Sequence, residues 1–227
     1  MAALSITIFF VAGLTGADTM IGREEGEFRI SIGGKVIGNE KFVIVSSGDS
    51  ASSTSVLQFR NPSGGHEKIM LETKLDMDGN YIPRRYELKS EVNGQQGTII
   101  GTFNPNQAIF EYVNSMSARK SGLLVGDKFT LLDTNIFHHF IFIARLFDYD
   151  SKEKIQKLEV VIPQEPDSGV LKVSEVKRES LTVKGKKMEV HHLQADSGTL
   201  LVDLWVDNQR VLQKIAAKSK NIEVVRN

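Results

Sequence analysis

Cysteine is missing from all 227 residues, so a disulfide framework, a thiolate zinc site, an iron–sulfur cluster and a cysteine nucleophile are excluded. Proline is scarce, at 5, and tryptophan occurs once. An excess of either charge is absent too: 28 Lys+Arg against 28 Asp+Glu leave a formal net charge of zero. Nucleic-acid-binding chains usually carry a basic surplus, so no nucleic acid is expected as partner. No stretch reaches the roughly 20 apolar residues of a membrane-crossing helix, so no transmembrane segment is expected in the mature chain. The sequence holds no H-E-x-x-H zinc helix, no Gly-x-Ser-x-Gly elbow and no phosphate-binding glycine loop. Acidic residues are scattered singly among the strands, which gives no paired carboxylates for glycoside hydrolysis. Catalysis finds no support here, and no cofactor is expected.

What is present begins with an uncharged, mostly apolar run from Leu4 to Leu14. Its length suits the apolar core of a signal peptide, and Thr15-Gly16-Ala17 supplies small residues for cleavage. Residues 1–17 are therefore expected to be a signal peptide, and the product periplasmic or secreted. Without cysteine, a lipidated N-terminus is excluded. The alternative is a first buried strand, because SITIFFV is rich in β-branched residues and no Lys or Arg precedes Leu4.

From Glu25 onward apolar and polar residues alternate with period two. Phe28, Ile30 and Ile32 oppose Glu27, Arg29 and Ser31, and Gly33-Gly34 then supplies a two-residue hairpin turn. Strands are expected at Lys35–Ser46, Ser55–Arg60, Glu67–Met77, Tyr81–Val92, Gly97–Phe103 and Gln107–Asn114. Ser47–Ser53 and Asn61–Gly65 are expected as connections, and Ser115–Leu132 as a loop or lid. Asp133 or Thr134 then caps an expected helix at about 134–147, whose NIFHHFIFIARLF is apolar around most of its circumference. Alternation resumes in Lys154–Ile162, Val170–Arg178, Leu181–Val183 with Lys187–Ala195, Thr199–Val206, Arg210–Ala216 and Ile222–Val225. The sum is about eleven or twelve strands joined mostly by short turns. Such turns make sequence neighbours spatial neighbours. The expected fold is mainly β: a large curved antiparallel meander sheet, half-barrel or clamp, with one buried apolar helix. Residues 18–227 form a single domain on this reading.

The hairpin EFRISIGGKVIGNEKFVI, the central phenylalanine-rich helix and the closing series LLVDLWVDNQRVLQKIAAKSKNIEVVR follow one another in a recognisable order. This layout resembles the lipoprotein-carrier superfamily of the bacterial envelope, of the LolA/LolB type, and related uncharacterised exported β-clamp families. The resemblance implies an incomplete barrel around an apolar cavity that takes acyl chains under a helical lid. Carriers of that type have several helices where this chain shows one.

Phe137, Phe140, Ile141 and Phe142 are expected to line a hydrophobic ligand or lipid pocket between helix and sheet, with Trp205 as a further lining residue. His138 and His139 stand about 100° apart on a helix and cannot share one metal from one face. They are expected to be satisfied core histidines. His191 and His192 lie on a strand and must face opposite sides. One histidine from each doublet with Asp203 would suit zinc chemically, but nothing in the spacing requires it. Three readings follow: a hydrophobic-ligand clamp, a solid-cored structural or protein-interaction component of the envelope, and a metal-dependent enzyme using the doublets.

Overall fold

The computed structural model describes residues 22–60 and 68–227. The signal peptide expected at residues 1–17 and the connection expected at Asn61–Gly65 lie outside the described residues. Among the described residues fifteen strands belong to one sheet. The first eight are β1 (Gly22–Ile32), β2 (Lys35–Ser46), β3 (Ser50–Arg60), β4 (Lys68–Asp78), β5 (Pro83–Val92), β6 (Gln95–Asn104), β7 (Gln107–Asn114) and β8 (Ala118–Leu124). A short β9 (Phe129–Leu131) precedes helix α1 (His139–Leu146). The chain then forms β10 (Gln156–Ile162), β11 (Asp167–Val183), β12 (Lys186–Asp196), β13 (Leu201–Asp207), β14 (Leu212–Ala217) and β15 (Ile222–Arg226).

Across the sheet the order is β8-β7-β6-β5-β4-β3-β2-β1-β15-β14-β13-β12-β11-β10-β9. The chain starts at mid-sheet, walks outward to β8, crosses to the opposite end and walks back. β15 finishes beside β1, with Ile30 opposite Val224. Neighbours pair antiparallel except β9 and β10, which run parallel and place α1 in the crossover that such a pair needs. The sheet is open, and it curls until its β9 end meets the inner wall near its β8 end. Phe129 of β9 packs on Phe103 of β6 with ring centres 5.6 Å apart. The Tyr112 hydroxyl of β7 donates to the Pro163 carbonyl at 2.7 Å.

The alternation read from the sequence is the alternation of burial. On β4, Leu71, Thr73, Leu75 and Met77 are buried while Lys68, Glu72 and Lys74 are exposed. The interior collects Phe28, Leu57, Leu75, Tyr86, Phe110 and Phe142, each essentially inaccessible to water. Removing one such side chain from water contributes about 1.5–3 kcal/mol.

Four local readings change. β3 starts at Ser50, within the expected loop, because Ala51, Ser53 and Ser55 are small enough to face inward beneath the helix. The expected lid contains two strands. β8 shows no clear alternation because most of it is exposed, and β9 is three residues long and wholly buried. β11 is one strand of 17 residues, bent by a register shift between Glu175 and Lys177, where the sequence suggests two. The helix is shorter than expected, starting at His139 after turns that hold Asp133 to His138.

Candidate functional site

The inner face of the sheet is largely apolar, and a fully buried carboxylate faces the helix. Glu40 shares the inward phase of β2 with Phe42 and Ile44, and it is fully buried. Its Oε2 accepts the backbone N–H groups of Phe137 at 2.9 Å and His138 at 3.1 Å. A carboxylate so placed satisfies donors that have no partner within the first turn and complements the helix dipole. Its Oε1 lies 2.6 Å from His138 Nδ1. The opposite ring nitrogen, Nε2, faces Ser53 Oγ at 3.2 Å.

A second carboxylate, Asp133, holds the approach to the helix. Its Oδ2 accepts the Tyr86 hydroxyl at 2.7 Å, and its Oδ1 accepts the N–H groups of Thr134 and Gln164 at 3.0 and 2.9 Å. Burial raises the Asp133 pKa above the ordinary carboxylate range, although these hydrogen bonds pull it back. Burial first, and then the Asp133 charge, drives the Tyr86 pKa well above the usual phenol range. The Asp133 N–H donates to His139 Nδ1 at 3.2 Å, which leaves the proton of the neutral ring on Nε2. Among the described residues that nitrogen is buried without a partner. Burial, with a smaller contribution from His138, pulls the His139 pKa well below the usual histidine value.

The third carboxylate is Glu24. It pairs with Arg145 from the last turn of α1 and, at 2.6 Å, with Arg226 of β15. Arg145 also donates to the Tyr81 hydroxyl at 3.2 Å. Tyr81 sits in the left-handed region, at φ 61°, with its ring against Phe142. Both ends of α1 are thus held by buried or nearly buried acids from the sheet and from the segment entering the helix.

Of the expected lining residues, Ile141 and Phe142 are fully buried, whereas Phe137 and Phe140 are half-buried and packed against the core. Trp205 is elsewhere. It lies on the outer face of the sheet, in a small cluster with Val190 and Ala216 that is separate from the main core. The structure therefore does not bring Trp205 together with the helix phenylalanines. The large depression described on the surface, about 500 Å³, lies along β1–β3 beside Glu27, Lys41, Val43 and Val56.

The histidines divide by face. His138 and His139 have ring centres 4.6 Å apart beneath the sheet. His191 points inward, 2.8 Å from Glu175 and edge-on to Tyr149. His192 points outward and stacks on Trp205, with ring centres 4.7 Å apart. Its Nε2 is 2.9 Å from Asp203 Oδ1 and its Nδ1 is 3.1 Å from Glu179 Oε1. Burial alone would raise the Asp203 pKa, but hydrogen bonds from His192, Gln194 and Lys218 bring it below the ordinary range. Glu179 is lowered first by Lys177 and next by the Trp205 N–H, which donates at 2.8 Å. His192 and Asp203 thus do meet, but across the sheet from the helix pair. Among the described residues no three His, Asp or Glu side chains are grouped to hold a metal.

Ser53, His138 and Glu40 stand in the order of a serine-hydrolase relay. All three are 0–1% exposed beneath α1, so the seated helix denies a substrate access to Ser53. The arrangement is chemically a helix anchor. Sequence reading missed Glu24, Glu40, Ser53, Tyr86, Asp133 as an anchor, and Arg145. One signal was available: Glu40 is an acid on the apolar phase of a strand.

No family model matches the sequence, and the search of curated proteins found no match. Among solved structures it is similar to a β-barrel-like protein of domain of unknown function DUF1849 from Brucella abortus, with a TM-score of 0.59 and 9% identity over 90% of this chain and 94% of that one. It is also similar to a DUF1089 family protein from Pseudomonas aeruginosa, with a TM-score of 0.46 and 12% identity over 91% and 95% of the two chains. The first likeness shows the fold: a β-barrel-like sheet kept open and arranged as an antiparallel meander.

Proposed function

We propose that this protein is an exported envelope component that acts by binding through its surface, with its interior filled by its own helix. The observation that carries this reading is the way α1 is held. Ile141, Phe142, Ile143 and Ala144 are completely buried, and Glu24, Glu40 and Asp133 tie down both ends of the segment. An acyl chain entering between helix and sheet would have to break several buried charge-assisted hydrogen bonds, each about 1.5–3 kcal/mol. The apolar Leu4–Leu14 run supports export.

A second reading keeps a hydrophobic ligand between sheet and helix, against Phe137, Phe140, Ile141 and Phe142. What favours it is the half-buried position of Phe137 and Phe140 at the rim, together with a layout that resembles the lipoprotein carriers. Native mass spectrometry of protein purified without detergent separates the two. A solid interior gives the mass of the processed chain alone and no change in melting temperature with added fatty acid. A co-purifying acyl lipid, lost on replacing Phe140 with a charged residue, would establish the ligand reading instead. Cell fractionation with and without residues 1–17 tests export, and unchanged cytosolic retention of both forms would defeat it.

A further inference from the structure

The two ends of the sheet are finished differently. β9 is three residues long, buried, and tucked against the inner wall. β8 is seven residues long, and Ala118, Arg119, Lys120, Gly122 and Leu124 are exposed. Among the described residues β8 pairs with β7 alone, so its outer edge presents a row of backbone donors and acceptors. An edge of this length templates further pairing, and charged side chains such as those of Arg119 and Lys120 restrict which strands it admits.

The pairing with β7 fixes which way each β8 side chain faces. Arg119 is opposite Tyr112 and Leu123 opposite Ala108, on the inner side, while Lys120 is opposite Glu111 and Leu124 opposite Gln107, on the outer side. One end of the edge is therefore cationic on both faces and the other end is leucine on both faces. The Arg119 guanidinium lies over the Tyr112 ring at 4.2 Å, which leaves its edge open to a carboxylate. Lys120 pairs with Glu111 at 2.5 Å, yet its side chain is 72% exposed and its ammonium can take a second acid.

We propose that β8 is a docking edge for an extended acidic segment of another protein, added as an antiparallel strand. Main-chain hydrogen bonds would supply affinity, and the charge-to-leucine gradient would supply register. The matching strand reads two apolar residues, two small polar residues and then two acids. A second copy of this chain added antiparallel along the full strand would set Arg119 beside Leu123 and Lys120 beside Gly122, leaving the cations without a carboxylate, so the charge pattern favours an acidic strand over self-pairing. The inference rests on the reading of the protein as a surface-acting component and names the surface and partner chemistry.

The test uses the full chain and a labelled peptide containing Val-Ile-Thr-Thr-Glu-Glu, beside a version ending Lys-Lys and one with N-methylated backbone amides. The acidic peptide should bind about tenfold or more tightly than the Lys-Lys version, with amides 118–124 gaining protection from hydrogen exchange. Arg119→Glu with Lys120→Glu should reverse that preference. Failure of the acidic peptide to bind, equal binding of both charge versions, retained binding of the N-methylated peptide, or dimerisation through β8 would each overturn the proposal. Acyl lipid in the native mass would defeat the solid-interior reading while leaving the peptide result to stand.

Discussion

The protein carries two adjacent-histidine doublets, and each places an imidazole beside carboxylate. Under the sheet, His138 meets Glu40 with both side chains wholly inaccessible, in a network that also takes two helix N–H groups. On the outside, His192 lies between Asp203 and Glu179, stacked on Trp205, close enough to solvent for Lys218 to reach Asp203 at 3.3 Å. The chemistry is the same and the surroundings are not. In the first case removing one partner strands a charge or several donors in a medium that cannot solvate them, whereas in the second Glu179 remains to face His192 and the exposed Lys218 remains to pair with Asp203. The inner group should therefore dominate stability, and the outer group should order its own patch.

The largest effect expected is at Glu40. Glu40→Ala leaves the N–H groups of Phe137 and His138 and the His138 ring unsatisfied, and should cost about 3–5 kcal/mol in urea unfolding. Glu40→Gln keeps an accepting oxygen and should lose less. Equal, small losses would show that α1 is held by its apolar contacts alone. Those contacts form the next test: Phe142→Ala should cost about 3–5 kcal/mol, and Phe140→Ala, at a half-buried position, clearly less. A matching loss at both positions would mean that the rim is as tightly packed as the centre.

Acid sharpens the contrast further. The folded His139 pKa is depressed by burial, so the folded state resists a proton that the unfolded chain accepts. The associated stability is complete above the ordinary histidine pKa of about 6.5 and falls as pH drops below it, by up to about 1.4 kcal/mol per pH unit. Asp133 acts in the opposite sense at lower pH, since its folded pKa is raised and protonation favours the folded form. Denaturant titrations of the wild type and His139→Phe between pH 7 and 5 isolate the histidine. Parallel curves would remove His139 as the source of acid sensitivity.

How far these regions could be read in advance depended on whether a pattern is local. Strands such as β4 and β5 declare themselves because an inner and an outer face impose period two on adjacent residues. The turns at Gly33-Gly34 and Asn93-Gly94 declare themselves because each pair takes positive φ, from 55° to 81°. The His191–His192 split across the sheet follows from strand geometry alone. The anchors of α1 were not legible, since Glu40 meets His138 across 98 residues and Glu24 meets Arg145 across 121. No spacing rule joins such positions; only the rolled sheet does. β8 escaped notice for another reason: an edge strand with little burial has no apolar phase to show.

The outer patch offers the smallest and most local change. Asp203→Asn weakens the contact with His192 Nε2 and removes the charge that Lys218 approaches, and should cost about 1 kcal/mol, the scale of one hydrogen bond. Trp205 is the sole tryptophan, so its emission reports on this face alone. The emission should shift in Asp203→Asn and stay unchanged in folded Glu40→Gln, because α1 and Trp205 lie on opposite sides of the sheet. The two groups share no hydrogen-bond partner, so the double variant should lose the sum of the single losses within about 0.5 kcal/mol. A larger coupling would mean that the sheet transmits strain from its inner to its outer face, and the division between a stabilising interior and an independent surface would have to be abandoned.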